Sequence, residues 1–203
     1  MIDERIYEQF REVGRDLYTA NMISTHGGNL SMRLGDRIII KRRGAQLGRL
    51  KPHDLVDTYL DRNDSGVALA SSELIVHRAI YKATPALAVV HCHPRTAIAY
   101  SLSREEIVPI DNEASYLLKK VPVIWEEFAS GTPEMANNVA RTLQAYKIIM
   151  LRGHGSFAIG QTLDEALHWS STLEESCQIA LFAGMINEPF IEYRKNSESY
   201  NKW

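Results

Sequence analysis

Cysteine is scarce in this chain. Cys92 and Cys177 are the two in 203 residues, and they lie far apart. Cys92 is flanked by His91 and His93, so a disulfide framework is not expected and a reducing cytoplasm is the expected compartment. Charge of one sign is lacking as well: Lys plus Arg number 23, Asp plus Glu 25, and the net charge is -2. No basic surplus points to nucleic acid, and no like-charged tail is present. Phosphorylated or carboxylated metabolites stay open as partners, because a local cationic pocket does not show in net charge. No apolar run reaches transmembrane length. The first residues, Met1-Ile2-Asp3-Glu4-Arg5, carry charge where a signal peptide has its apolar stretch. No membrane partner is therefore expected. Internal repeats, low-complexity stretches and linkers are also missing. What remains is 45% apolar and 24% charged, enough for a single soluble domain over residues 1–203 with a real core.

The pattern along the chain mixes helices and strands, which predicts an α/β fold. Ile6, Phe10, Val13, Leu17 and Met22 recur at helical spacing over 3–22, with Asp3 as N-cap. Ser24 to Ser31 breaks that helix with paired glycines, and Gly28-Asn29 can cradle an anion or form an ordinary turn. Leu30 to Arg33 and Arg37 to Lys41 read as a hairpin. Lys41, Arg42 and Arg43 beside Gly44 fit either an anion site or a solvated turn. Leu55 to Leu60 reads as a strand ending in a polar hairpin tip at Asp61 to Gly66. Ser71 and Ser72 are N-cap candidates for a helix through Ala83, with Glu73 in its first turn and Pro85 beyond its end. The free N–H groups of that start can hold an anion. His77 reads as a packed or exposed helical histidine. Arg95 to Leu102 is expected to be helical, Ile107 to Ile110 extended, and Tyr116 to Leu118 and Val121 to Ile124 core segments. Glu134 to Tyr146 follows Thr132-Pro133 as a helix. Lys147 to Leu151 and Phe157 to Gly160 read as strands, and Leu163 to Met185 as a long helix capped by Thr162. A polar tail from about residue 192 carries Tyr193, Tyr200 and Trp203.

The chemistry gathers where strands end. Ala86 to Val90 leads into His91-Cys92-His93, and side chains i and i+2 share a strand face, so the imidazoles point together. Neutral imidazole is the commonest zinc ligand. A third histidine, His154, follows another strand between Gly153 and Gly155. Three histidines with an open position match a catalytic metal site rather than a closed structural one. Glu73 is then a fourth ligand, a nearby base, or a helix cap. A carboxylate beside a divalent cation can take a proton from substrate while the cation polarises a carbonyl or hydroxyl oxygen.

The series Gly28-Asn29-x-Ser31, Gly44, Ser71-Ser72-Glu73, His91-x-His93 and Gly153-His154-Gly155 resembles the class II aldolase/adducin family, and within it the L-fuculose-1-phosphate aldolase branch. The resemblance covers the chain up to its C-terminal tail. It implies a three-layer single domain with a largely antiparallel central sheet flanked by helices. It implies Zn2+, or another divalent ion, on His91, His93 and His154. Glu73 would be the acid/base residue that also touches the metal. Gly28, Asn29, Gly44, Ser71 and Ser72 would hold the phosphate of a small phosphorylated sugar. The implied reaction is cleavage of a ketose 1-phosphate to dihydroxyacetone phosphate and an aldehyde through a zinc-stabilised enediolate. The implied assembly is a homotetramer with active sites between subunits.

His26 and Arg43 stand where that motif carries threonines. Arg43 would strengthen anion binding or favour a carboxylate. After Pro109 the family aldolase carries a tyrosine that protonates the aldehyde, whereas Asp111-Asn112-Glu113 stands here. Glu113 is a candidate catalytic residue, though it can donate there only in its protonated form; Tyr116 is out of register. These departures leave open a pentulose-phosphate 4-epimerase, a dehydratase or a decarboxylase on the same metal site. A non-catalytic adducin-like interaction module has no use for the intact His91, His93, His154 and Glu73.

Overall fold

The computed structural model describes residues 2–128 and 130–195. Tyr200 and Trp203, assigned above to the tail, lie outside the described residues. Chain order gives α1 (Glu4–Thr19), β1 (Asn29–Leu34), β2 (Arg37–Lys41), β3 (Leu55–Tyr59), α2 (Leu74–Ala83), β4 (Ala88–Cys92), α3 (Arg95–Ser101) and β5 (Glu106–Ile107). There follow α4 (Asn112–Leu117), β6 (Val121–Ile124), α5 (Pro133–Thr142), β7 (Ile148–Leu151), β8 (Gly155–Gly160) and α6 (Leu163–Ile186).

The strands form one eight-stranded sheet in the order β3-β2-β1-β4-β8-β7-β6-β5. Every neighbouring pair is antiparallel except β6 with β7. Side chains alternate across it, as a pleated strand requires. Leu30, Ile39, Ala88, Val90, Cys92, Ile148 and Met150 face one core with Phe10, Val13 and Leu17 of α1, Ala97 of α3, Ala114 of α4 and Trp169 and Leu173 of α6. Ile38, Ile40, Val89, Ile149, Leu151 and Phe157 face the other, with Val76 and Ile80 of α2 and Met135 and Val139 of α5. The result is the expected three-layer α/β domain, largely antiparallel and flanked by helices. Each fully buried Val, Leu, Ile, Phe or Met side chain among them contributes about 1.5–3 kcal/mol.

Helix ends obey local chemistry. Asp3 accepts from the Arg5 N–H at 2.8 Å and starts α1. The helix stops at Thr19 rather than Met22 because Asn21 takes φ 58°, a left-handed turn that a short polar side chain tolerates. Met22 and Ile23 are still buried beyond that turn. Thr132 and Thr162 cap α5 and α6 as expected, accepting from Met135 N at 3.2 Å and Glu165 N at 3.1 Å. The segment after Asp61 is not a hairpin tip. It leads into a 3-10 turn, Ser65–Ala68, held by Asp64, which accepts from Thr58 Oγ1 at 2.7 Å and Gly66 N at 3.0 Å. Tyr116 to Leu118 belongs to the end of a helix that the sequence reading did not foresee. Asp111 caps it, accepting from Ala114 N at 2.9 Å, and also accepts from Ser176 Oγ of α6.

One cap matters for the site. Pro94 precedes α3 and offers no side-chain cap. The buried Glu174 of α6 accepts instead from Thr96 N and Ala97 N, each at 3.0 Å. The chain is thus anchored immediately past His93. Orphan N–H groups of a helix start are satisfied here by a carboxylate, the group their positive end favours.

Candidate metal and substrate site

Antiparallel pairing brings one end of three central strands together. Asn29 opens β1 opposite His91, near the end of β4; Cys92 pairs with Ser156 at the start of β8. His154 sits in the turn between β7 and β8, and Lys41 closes β2 beside β1. Glu73 arrives from the other layer, at the N-cap of α2. The helix therefore starts one to two residues later than Ser71 and Ser72 predict. These serines lie in the preceding turn, where Ser71 Oγ accepts from Glu73 N at 3.3 Å and Ser71 O accepts from Leu74 N at 3.0 Å. Glu73 makes no side-chain cap hydrogen bond, so its carboxylate is left for other work.

The imidazoles of His91, His93 and His154 converge, with one ring nitrogen from each within 4.8 Å of the others. His91 donates from Nδ1 to the Ser156 carbonyl at 2.9 Å, which leaves its Nε2 as a lone pair. That lone pair lies 3.1 Å from His93 Nε2 and 3.3 Å from Glu73 Oε2. Phe157 stacks on the His91 ring at 4.2 Å and fixes its plane. Burial, and then the neighbouring imidazoles, hold His91 well below the ordinary histidine value. Burial and His154 bring His93 down to about 4. Both rings are neutral near pH 7, the form that binds a metal.

Two buried atoms are left without a hydrogen bond at this spot, Glu73 Oε1 and His154 Nδ1. Buried polar atoms are rarely orphaned unless a missing partner belongs there. Ring nitrogens converging beside a carboxylate, with the orphaned His154 Nδ1 among them, fit a divalent cation. Glu73 itself touches His91 but is not part of the converging cluster.

A cavity of about 190 Å³ opens over this cluster. Gly28, Asn29, Arg43, Gly44, Ser71 and Ser72 line it, so the structure brings every expected anion-binding residue to one place. His26, Lys41 and Ser130 line it too. Lys41, one of the three cations read beside Gly44 as an anion site or a solvated turn, lines the cavity, and its burial is what the sequence did not show. It is 4% exposed, and its Nζ donates to the His26 and Gly28 carbonyls at 2.9 and 2.8 Å. Burial lowers its pKa to about 8, partly offset by Glu73. A lysine at the end of Ile38-Ile39-Ile40 was the available signal. Asn29 also differs from expectation. Its Nδ2 donates to Glu73 Oε2 at 2.8 Å and its Oδ1 accepts from His77, so the side chain holds Glu73 as well as facing the cavity. Glu113 is exposed in the first turn of α4 and is not among the residues lining the cavity.

Residues 8–181 match the model of the class II aldolase and adducin N-terminal domain family. An L-fuculose phosphate aldolase of Methanococcus maripaludis is 31% identical over 84% of this chain and 93% of its own length. A 3-oxo-tetronate 4-phosphate decarboxylase of Haemophilus influenzae is 28% identical over 88% of each chain. The crystal structure of the L-fuculose-1-phosphate aldolase of Thermus thermophilus superposes with a TM-score of 0.87 at 39% identity, covering 93% of this chain and 100% of that one. With the three-layer fold and the converging histidines, these likenesses make the chain a member of the class II aldolase and adducin N-terminal domain family.

Proposed function

We propose that the protein is a metal-dependent aldolase that cleaves a ketose 1-phosphate of the fuculose 1-phosphate type to dihydroxyacetone phosphate and an aldehyde. The observation that carries this is the buried Glu73 carboxylate 3.3 Å from His91 Nε2, in a cavity lined by candidate anion-binding residues. His91, His93 and His154, with Glu73 at their side, would hold Zn2+ or another divalent ion. When bound, such an ion withdraws electron density from a substrate carbonyl. Ser71, Ser72 and the backbone at Gly28 and Gly44 receive the phosphate, and Lys41 and Arg43 add positive charge around it. In the condensation direction Glu73 takes the proton from the hydroxymethyl carbon of dihydroxyacetone phosphate. That carbon then forms the bond to the aldehyde carbon, whose oxygen takes a proton from water while Glu73 releases the one it gained to solvent. In cleavage the same bond breaks and Glu73 returns the proton to carbon. Glu113, exposed on α4, would reach the aldehyde end only of a neighbouring subunit's site.

We also propose a homotetramer in the cytoplasm. Phe182, Met185, Ile186, Phe190 and Ile191 are all more than half exposed near the C-terminal end of α6, an apolar patch suited to a subunit contact. Cys92 and Cys177 are free and buried, with burial raising their thiols to about 11 and about 12. Thiols of this kind suit a reducing compartment. Among the described residues no helix is long and apolar enough to cross a membrane.

The test is condensation of dihydroxyacetone phosphate with a panel of aldehydes, with and without a chelator. Chelator-sensitive condensation is expected. A metal-replete protein that performs none would shift the assignment to decarboxylation, dehydration or epimerisation on the same site. Arg43 favours the first of these as the second reading, because a guanidinium beside a phosphate cradle also pairs with a carboxylate. Arg43→Ala is expected to raise KM for an anionic substrate about tenfold and leave a neutral aldehyde partner almost unaffected. Equal weakening of both would refute the charge-pairing role.

A further inference from the structure

A line of buried polar groups runs away from Glu73 into the layer between the sheet and α2, where neither a cation nor a substrate reaches. Glu73, His77 and Tyr81 are spaced four apart on one helix face, and Asn29 and Ser31 two apart on one strand face. They interlock. Asn29 Nδ2 donates to Glu73 Oε2 at 2.8 Å. Asn29 Oδ1 meets His77 Nε2, and His77 Nδ1 meets Ser31 Oγ at 2.6 Å. Tyr81 O–H lies 2.7 Å from Ser31 Oγ and 2.9 Å from Ser31 O. His77, Ser31 and Tyr81 are at most 1% exposed.

The directions of these bonds are fixed from the Glu73 end. A carboxylate only accepts, so Asn29 Nδ2 donates to Glu73 Oε2 and Asn29 Oδ1 faces His77 Nε2, which must donate. Burial pushes His77 down to about 3, so the ring is neutral, with one donor and one acceptor. His77 Nδ1 then accepts the one hydroxyl proton of Ser31, and Tyr81 shares its single proton between Ser31 Oγ and Ser31 O. The Nε2–H can donate only to an oxygen, which keeps the Asn29 amide with its oxygen toward His77 and its nitrogen toward Glu73. With the amide reversed, two N–H groups would face each other at one end and two oxygens at the other.

We propose that His77 is a positioning residue: through its Nε2–H it sets the Asn29 amide so that Glu73 Oε2 is pinned and Oε1 is left free for the proton transfer. This rests on Glu73 being the acid/base group. The pinned oxygen is the one beside His91, and the free one is the buried Oε1 that has no partner.

Nitrogen-15 NMR of the metal-free wild-type protein should find His77 protonated at Nε2 and bare at Nδ1; the opposite tautomer overturns the proposal. In kinetics, His77→Leu is expected to lower kcat about 10- to 100-fold while KM for the ketose 1-phosphate stays within about twofold. His77→Gln, whose amide can replace the Nε2 donor, should recover most of that loss. Asn29→Ala should lose a similar factor, and the double variant Asn29→Ala/His77→Leu no more than Asn29→Ala alone, because the two act on Glu73 in series. Losses that multiply, or a His77→Leu enzyme with wild-type kcat, would overturn it. If the wild-type protein turns over no ketose 1-phosphate, the Glu73 assignment is the part that fails. The tautomer then decides the amide orientation by itself, and does so even if His77→Leu does not fold.

Discussion

Glu73→Gln is expected to lower kcat by about 10³-fold or more while the protein keeps its metal. The substitution is nearly isosteric at a position 4% exposed, so the packing around α2 has no reason to change. Asn29 Nδ2 still finds an oxygen if the new amide presents Oε1 to it. The new amide cannot take a proton at any ordinary pH. A positioned base contributes about 10²–10⁴-fold on its own, and buried sites lie toward the upper end because no water can substitute. Metal should be retained because His91, His93 and His154 converge without help from Glu73. The measurement is a pair: turnover of the ketose 1-phosphate, and metal content after gel filtration. A variant with near wild-type kcat removes Glu73 from the chemistry. A variant that loses both metal and turnover makes the carboxylate a required ligand, so that the acid/base role would have to be shown separately.

How far these roles could be read from sequence depended on the reach of the pattern that carried them. Local periodicity was enough for the histidines: an apolar strand running into His91-Cys92-His93 puts two imidazoles on one face whatever the fold. Gly153-His154-Gly155 told of a close approach without saying to what. The fold turned on the same kind of pattern, since the alternation of Ile38, Ile39 and Ile40, or of Val89 and Val90, assigns each side chain to one of two cores. Reading failed where a residue's job is set by a distant partner. Ser71 and Ser72 have the chemistry of caps, but the chain turns once more before α2 begins, and the cap position falls to Glu73. Asp111-Asn112-Glu113 stands where the aldolase pattern has its tyrosine, yet Asp111 is occupied with Ala114 N and Ser176. His77 read as a generic helical histidine because its partners, Asn29 and Ser31, stand more than 40 residues away. Both registers were visible singly, the four-residue step on the helix and the two-residue step on the strand. Only the pairing of helix with sheet shows that they meet.

Gly155→Ala is expected to reduce metal affinity about 100-fold and to destabilise even the metal-free protein by about 1–3 kcal/mol. Gly155 opens β8, opposite Leu151 of β7, and it is where the chain passes under the histidines. A Cβ there would lie 2.3 Å from the Cys92 carbonyl oxygen, 2.8 Å from His93 Cδ2 and 3.1 Å from His91 Cε1. The first of these atoms is backbone in the centre of the sheet, between strands paired at Cys92 and Ser156, and it cannot swing aside. Relief must come from a shift of β8 or of the two rings. A shift of β8 carries the Ser156 carbonyl with it, and that carbonyl fixes the His91 tautomer. Either movement spoils the convergence on which the cation depends, so affinity falls although no ligand atom has been removed. Gly184 on α6 supplies the contrast. A Cβ there meets nothing within 4 Å, so Gly184→Ala should leave metal binding intact and add about 0.5–1 kcal/mol from helix propensity. Metal titration and thermal unfolding of the two variants, with and without metal, separate the cases. A Gly155→Ala protein with wild-type affinity would mean that β8 yields at little cost, and that the glycine is not what lets the third histidine close on the other two.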